Sequence, residues 1–154
     1  MKKRSSASCA WSMKNFRILE RNTYVVLITQ AALCLAINVY FEARSESFDG
    51  QMAVAQVTLN RVASEKYPDN VCDVVWQHKQ FSWTHDGKSD TPRDPVAWAI
   101  AANVARLAME EGTPRKVGEG VLFYHSIYAS PYWAKAFTKT AQYGQHIFYK
   151  ETNG

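Results

Sequence analysis

The residues best placed to do chemistry lie in the segment Asn38-Val-Tyr-Phe-Glu-Ala-Arg-Ser-Glu46. Glu42 follows Tyr40 and Phe41 at the end of an otherwise apolar stretch. A carboxyl group sunk among such neighbours loses the hydration of its ionised form, so its pKa rises. A glutamate that keeps its proton near neutral pH is what protonation of a glycosidic oxygen requires. Glu46 lies four residues on, roughly on the same face if the helix continues, so the two carboxyls can couple. Gln51 is near enough in sequence to orient Glu42. The competing reading makes Glu42 or Glu46 a surface ion-pair partner of Arg44 or Arg61.

Candidate ligand contacts surround that motif. Five Trp and eight Tyr exceed what a small core needs, and rings with one apolar face and one polar edge suit flat ligands such as sugars. Tyr40, the run Gln80-Phe81-Ser82-Trp83, the pair Tyr124-His125, and Trp133 form the set. Each has a structural alternative: Trp83 and Trp133 as core residues, His125 and His146 as satisfied structural histidines. His78, His85, Asp86, His125 and His146 include no HExxH-like pairing that puts two ligands on one helix face. No metal and no cofactor is expected.

The elements that must hold these groups read as mainly helical. Gln30 to Ala43 forms a buried helix, with Leu33, Ile37 and Phe41 at fourfold spacing. Asp49 can cap a second helix through about Ala63, with Met52, Ala55, Leu59 and Val62 on one face. The segment YPDN breaks it, and Asn70 or Asp69 opens a short helix carrying Val71, Val74, Val75 and Trp76. Residues 78–94 lack periodicity and form a long loop, the kind that is more often functional than idle. Asp94-Pro95 is a strong helix start, and that helix runs to about Glu111, with Val96, Ile100, Val104 and Leu107 as its buried stripe. Beyond Gly118 the runs VLFYH (121–125) and HIFYK (146–150) read as strands. Between them Ser130-Pro131 starts a short helical turn holding Trp133 and Phe137. The expectation is an α+β, mainly α domain with a small two-stranded element near its C-terminus.

A chain of 154 residues can bury a core without staples. Its net charge of +4 is uneven: Lys2, Lys3, Arg4, Lys14, Arg17 and Arg21 face Glu20 alone, a net of +5 that leaves −1 elsewhere. We therefore divide the chain into a basic arm, residues 1–23, and a catalytic domain, residues 24–154. Such an arm suits a polyanionic neighbour. Nothing in the body resembles a helix-turn-helix, a zinc finger or basic stripes interleaved with aromatics, so nucleic acid is not the expected partner. Cys9, Cys34 and Cys72 are odd in number and lack a CxxC pair, which argues against a disulfide framework. Cys34 then reads as a small core residue. The MKKR start is like a signal-peptide n-region, but the residues after it are polar, so no clear cleavable signal is expected. Tyr24 to Phe41 is marginal as a membrane span and reads mostly as buried helix.

The segment VYFEARSE, then DGQMAVAQVTLNRV, YPDNVCDVVWQ and QFSW, and finally GVLFYHSIYASPYWA and YGQHIFYK, resembles the spore cortex-lytic (SleB/CwlJ-type) cell wall hydrolase family. The resemblance covers about residues 31–150, with the blocks in order. It implies a lysozyme/lytic-transglycosylase-like fold acting on peptidoglycan, between N-acetylmuramic acid and N-acetylglucosamine, with the catalytic glutamate of the EAR motif at Glu42. Ser45 departs from the family's usual Gly. Some relatives have a Cys near the QFSW block; here that region reads His78-Lys79-Gln80, so Cys72 is expected as a free thiol. With Glu46 displaced along the same helix rather than opposing Glu42, a single-acid lytic transglycosylase giving 1,6-anhydro ends is expected. A hydrolytic muramidase, a zinc-dependent wall amidase and a nucleic-acid-binding module are the alternatives. The resemblance and the arm together imply a monomer that approaches an anionic envelope and acts at the wall, as a phage endolysin or a remodelling enzyme.

Overall fold

The structure is a computed structural model that describes residues 28–78 and 80–152. The basic arm, residues 1–23, and Cys9 within it lie outside the described residues.

Helix α1, Gln30–Ala43, has the bounds read from the sequence, with Thr29 accepting the Ala32 N–H at its start. Its residues are apolar nearly all round, so other elements must surround it. Leu35 and Val39 are fully buried, each stabilising the fold by about 1.5–3 kcal/mol. The polar exception, Asn38, donates to Thr58 Oγ1 at 3.2 Å and accepts from Trp83 Nε1 at 3.2 Å. Helix α2, Phe48–Val62, is capped by Ser47, whose Oγ accepts the Gly50 N–H. Asp49, expected as the cap, instead sits within the first turn, where its charge suits the helix dipole. Helix α3, Val71–Val75, is capped by Asn70. No described helix is long and apolar enough to cross a membrane.

Cys34 and Cys72 form a disulfide that joins α1 to α3, which corrects both cysteine expectations. Their Cα atoms lie 5.3 Å apart, within bridging range. An odd count implies only that one cysteine is left over, not that none pair.

Helix α4, Pro95–Ala108, starts where expected, with Asp94 Oδ1 accepting the N–H groups of Val96 and Ala97. Its buried face keeps Val104 and the partly buried Leu107 of the expected stripe but not Val96 and Ile100. Val96 is 69% and Ile100 44% exposed, whereas Ala101, Val104 and Ala105 are buried. The small side chains of Ala101 and Ala105 let α4 lie close against α1 on either side of the buried Val104.

The sheet has three antiparallel strands in the order β1-β3-β2: β1 is Val121–Ser126, β2 Phe137–Tyr143 and β3 His146–Glu151. The expected two-stranded element lacked β2. That strand is a mostly exposed polar edge, FTKTAQY, so it carries little apolar alternation to reveal it. Phe137 opens it rather than closing the preceding turn, Tyr132–Lys135. Phe148 at the centre of β3 is fully buried, packed with Val54, Val57 and Val121.

Polar side chains of α2 brace the sheet. Asn60 Nδ2 donates to the carbonyls of Gly118 and Val121, Arg61 Nε donates to the carbonyl of Leu122, and Gln56 Oε1 accepts from the N–H groups of Lys116 and Val117. These bonds explain why α2 tolerates so many buried polar groups.

Candidate active site

The end of α1 opens onto a groove of about 560 Å³ whose other walls are the segment 80–85, β1 and Trp133. Glu42 lines it, half-buried. It is there because α1 continues to Ala43 and places the residue after Phe41 at the helix end, facing β1. Tyr124 on β1 donates its hydroxyl to Glu42 Oε2 at 2.8 Å. Burial raises the Glu42 pKa, outweighing the Tyr124 hydrogen bond and the charge of Arg61, both of which favour the carboxylate. Burial likewise pushes the Tyr124 phenol far above its ordinary range, so it stays a neutral donor. Glu42 is the one carboxylate among the described residues that line this groove.

Gln80, Phe81, Ser82, Tyr124, His125 and Trp133, all singled out from the sequence, line the groove. Tyr40 and Trp83 do not, which corrects their assignment as sugar contacts. The Tyr40 hydroxyl is taken by the N–H groups of Arg93 and Asp94, at 3.2 and 3.1 Å, and its ring is buried in the core. Trp83 is 7% exposed, stacked on Phe41 at 4.9 Å, with its indole N–H spent on Asn38. Both serve to fix α1 and the long loop around Glu42.

Glu46 and Gln51 also stand outside the groove. The Glu46 carboxylate accepts the Gln145 N–H and lies 3.4 Å from His146 Nδ1, without the alignment of a hydrogen bond. Burial lowers the His146 pKa against the opposing pull of Glu46. Glu46 therefore fastens the turn between β2 and β3 to the corner after α1. Gln51 donates to the Glu46 carbonyl at 3.1 Å and does not reach Glu42.

The sequence reading missed Arg61 as an interior residue, and Tyr67, Phe123 and His146 as groove walls. Arg61 is 4% exposed. Its signal was present: it falls in helical phase with Val54 and Val57, on the row that meets the sheet. Among the described residues no group of three or more His, Cys, Asp or Glu is arranged to hold a metal ion. A second hollow of about 430 Å³, between α1 and α4, is lined by Leu33, Ala36, Trp98 and Ala102. Its charged residues Arg106 and Glu110 pair with each other, so it offers no free acid.

Solved structures share this architecture. The catalytic domain of the germination-specific lytic transglycosylase SleB from Bacillus anthracis superposes with a TM-score of 0.65 and 30% identity, covering 85% of this chain and 100% of that one. The SleB catalytic domain of Bacillus cereus gives 0.59 and 28%, covering 88% and 99%. The fold is therefore that of the SleB catalytic domains, a lysozyme-like architecture with a small sheet.

The chain belongs to the cell wall hydrolase family, whose model matches residues 45–149. The spore cortex-lytic enzyme of Oceanobacillus iheyensis is 31% identical over 118 residues, 75% of this chain and 40% of that protein. The Bacillus subtilis spore cortex-lytic enzyme is 30% identical over 119 residues, 74% and 35%. The chain thus spans less than half the length of these curated relatives. The family match begins just after Glu42, so the role of that residue rests on its place in the groove.

Proposed function

We propose that this domain cleaves the glycan strand of peptidoglycan between N-acetylmuramic acid and N-acetylglucosamine, with Glu42 as general acid and then general base. The carrying observation is a half-buried carboxyl group in an aromatic-lined groove, its proton affinity raised by burial and its orientation set by Tyr124. Glu42 gives its proton to the bridging oxygen as the bond from that oxygen to C1 of muramic acid breaks. The carboxylate left behind takes the proton of the muramic acid 6-hydroxyl as that oxygen bonds to C1. Glu42 is then protonated again, and the product is a 1,6-anhydro end. A hydrolase commonly uses a second carboxylate across the sugar, and the described groove lining supplies none. The name of the Bacillus anthracis neighbour, a lytic transglycosylase, supports this reading.

Gln80, Ser82 and His125 offer hydrogen bonds to N-acetyl and hydroxyl groups, and Trp133 offers a ring face to a sugar. The basic arm draws the domain to an anionic envelope, in a lysin or wall-remodelling role. Added salt should then weaken lysis of whole cells more than cleavage of soluble glycan.

The test is digestion of purified peptidoglycan by wild type and Glu42→Gln, with mass analysis of the muropeptides. Anhydro-muramic ends from the wild type and near-total loss in the variant are expected. Reducing muramic ends alone would replace this reading with hydrolysis. A fully active Glu42→Gln would remove Glu42 from the mechanism.

A further inference from the structure

Arg61 is a buried cation whose partners are all neutral. Its Nε donates to the Leu122 carbonyl at 2.8 Å. With the Gln80 amide turned so that its oxygen faces the guanidinium, that oxygen accepts from Nη1 at 2.8 Å and from Nη2 at 3.2 Å. The rings of Tyr67 and Phe81 each lie 5.3 Å from the guanidinium carbon. Among the described residues Arg61 makes no ion pair. A buried charge without a counter-charge is costly, so its retention calls for a reason beyond packing.

The groove supplies one. Glu42 and Arg61 line the same groove and form no ion pair with each other, and the charge of Arg61 favours the Glu42 carboxylate. A direct salt bridge would trap Glu42 as a carboxylate and remove the acid. A distant cation would leave the carboxylate, once formed, uncompensated in a buried place. The neutral clamps fix Arg61 in the groove wall without a bond to Glu42.

We propose that Arg61 is a positioning residue for the acid/base: a cation fixed by neutral partners, it balances the Glu42 carboxylate after proton donation without pairing to it beforehand. This rests on the reading of Glu42 given above. The titratable groups facing Glu42 are Tyr124 from β1 and Arg61 from α2. Tyr67, after α2, flanks Arg61; His125 from β1, His146 from β3 and His85 from the 80–85 segment share the groove.

The test compares Arg61→Met and Arg61→Lys by two readouts. One is the pH midpoint of the Glu42 carboxyl infrared band, identified by its absence in Glu42→Gln. The other is the pH profile of kcat on purified peptidoglycan. In Arg61→Met the midpoint and the alkaline limb of kcat should both move to higher pH, and kcat at neutral pH should fall roughly 100-fold with KM little changed. Arg61→Lys should return the midpoint towards the wild-type value even where stability is not restored. A purely structural role would lower stability in both variants and leave the midpoint of the folded protein in place, and that result overturns the proposal. Should Arg61→Met fail to fold, Gln80→Leu carries the test with the opposite sign. It frees the guanidinium to approach Glu42, so the midpoint should fall, and an unmoved midpoint overturns the proposal. Activity surviving in Glu42→Gln would instead refute the acid/base reading itself, which keeps the two failures apart.

Discussion

The phenol of Tyr124 donates to Oε2 of Glu42 at 2.8 Å, joining the end of the first helix to the first strand across the floor of the groove. That bond favours the carboxylate, whereas burial favours the acid, and burial prevails. Tyr124→Phe removes the weaker, opposing influence. Glu42 should then hold its proton to higher pH, and the alkaline limb of the kcat profile should move up. A hydrogen bond to a charged group is worth about 1.5–3 kcal/mol, so activity at neutral pH should drop about 10- to 100-fold. A profile unchanged in shape would show that the phenol does not act on this carboxyl.

The same burial ties stability to pH. Folded Glu42 has a pKa above its unfolded value, so the folded chain binds that proton more tightly. Its contribution to stability is full below the unfolded carboxyl pKa and is lost as pH rises through the folded one. Glu42→Gln replaces the group with a neutral amide of the same shape. Thermal melts should show the variant more stable than wild type at about pH 8, with the gain shrinking towards about pH 4. A gain that grows with acidity would reverse the sign argued here.

Glu46 should behave as a brace and not as a second acid. Glu46→Gln should keep wall cleavage within about tenfold of wild type, in contrast to Glu42→Gln. The brace also dictates a glycine. A Cβ on Gly144 would collide with Glu46 Oε2, and the backbone there has φ +51°. Gly144→Ala should cost about 1–3 kcal/mol. Adding Glu46→Ala should recover part of that cost, because the clash disappears while the backbone strain remains. Chemical denaturation of the two single variants and the double variant measures the coupling, and strict additivity would contradict the contact.

The Cys34–Cys72 bridge closes a loop of sequence separation 38, worth about 4 kcal/mol by unfolded-chain entropy. Reduction, or Cys72→Ser, should lower Tm by more than about 10 °C. Melting under oxidising and reducing conditions reads this directly. A Tm indifferent to reductant would mean that the thiols are not joined in solution.

Where local chemistry alone decides a boundary, the fold was legible beforehand. Asn70 and Asp94-Pro95 each mark a helix start by satisfying N–H groups that the helix cannot, whereas the expected cap Asp49 lies within the first turn behind Ser47. What escaped depended on neighbours distant in the chain. On α4 the expected Val96 and Ile100 lie exposed, while Ala101 and Ala105 join the expected Val104 in the core. Strand β2 is polar because one side of it meets solvent. Tyr40, Trp83 and Trp133 are all aromatic, yet only the last reaches the groove, and ring type cannot tell a wall from a foundation. Arg61 was weighed as a surface partner because charge usually means solvent; its helical phase argued otherwise. Glu42 was legible since its own neighbours, Tyr40 and Phe41, announce its burial.

Helix α1 carries Glu42 near its tip and the fully buried side chains of Leu35, Asn38 and Val39 along its length. The proposed proton donor therefore sits on a helix and not on a loop or hinge of its own through which it could be tuned or switched off separately. Heat or substitution that slackens the interior must also let water in around the acid, so loss of cutting and loss of structure should come as a single event. An evolving relative could change what it binds by rebuilding the walls while leaving that one rod untouched.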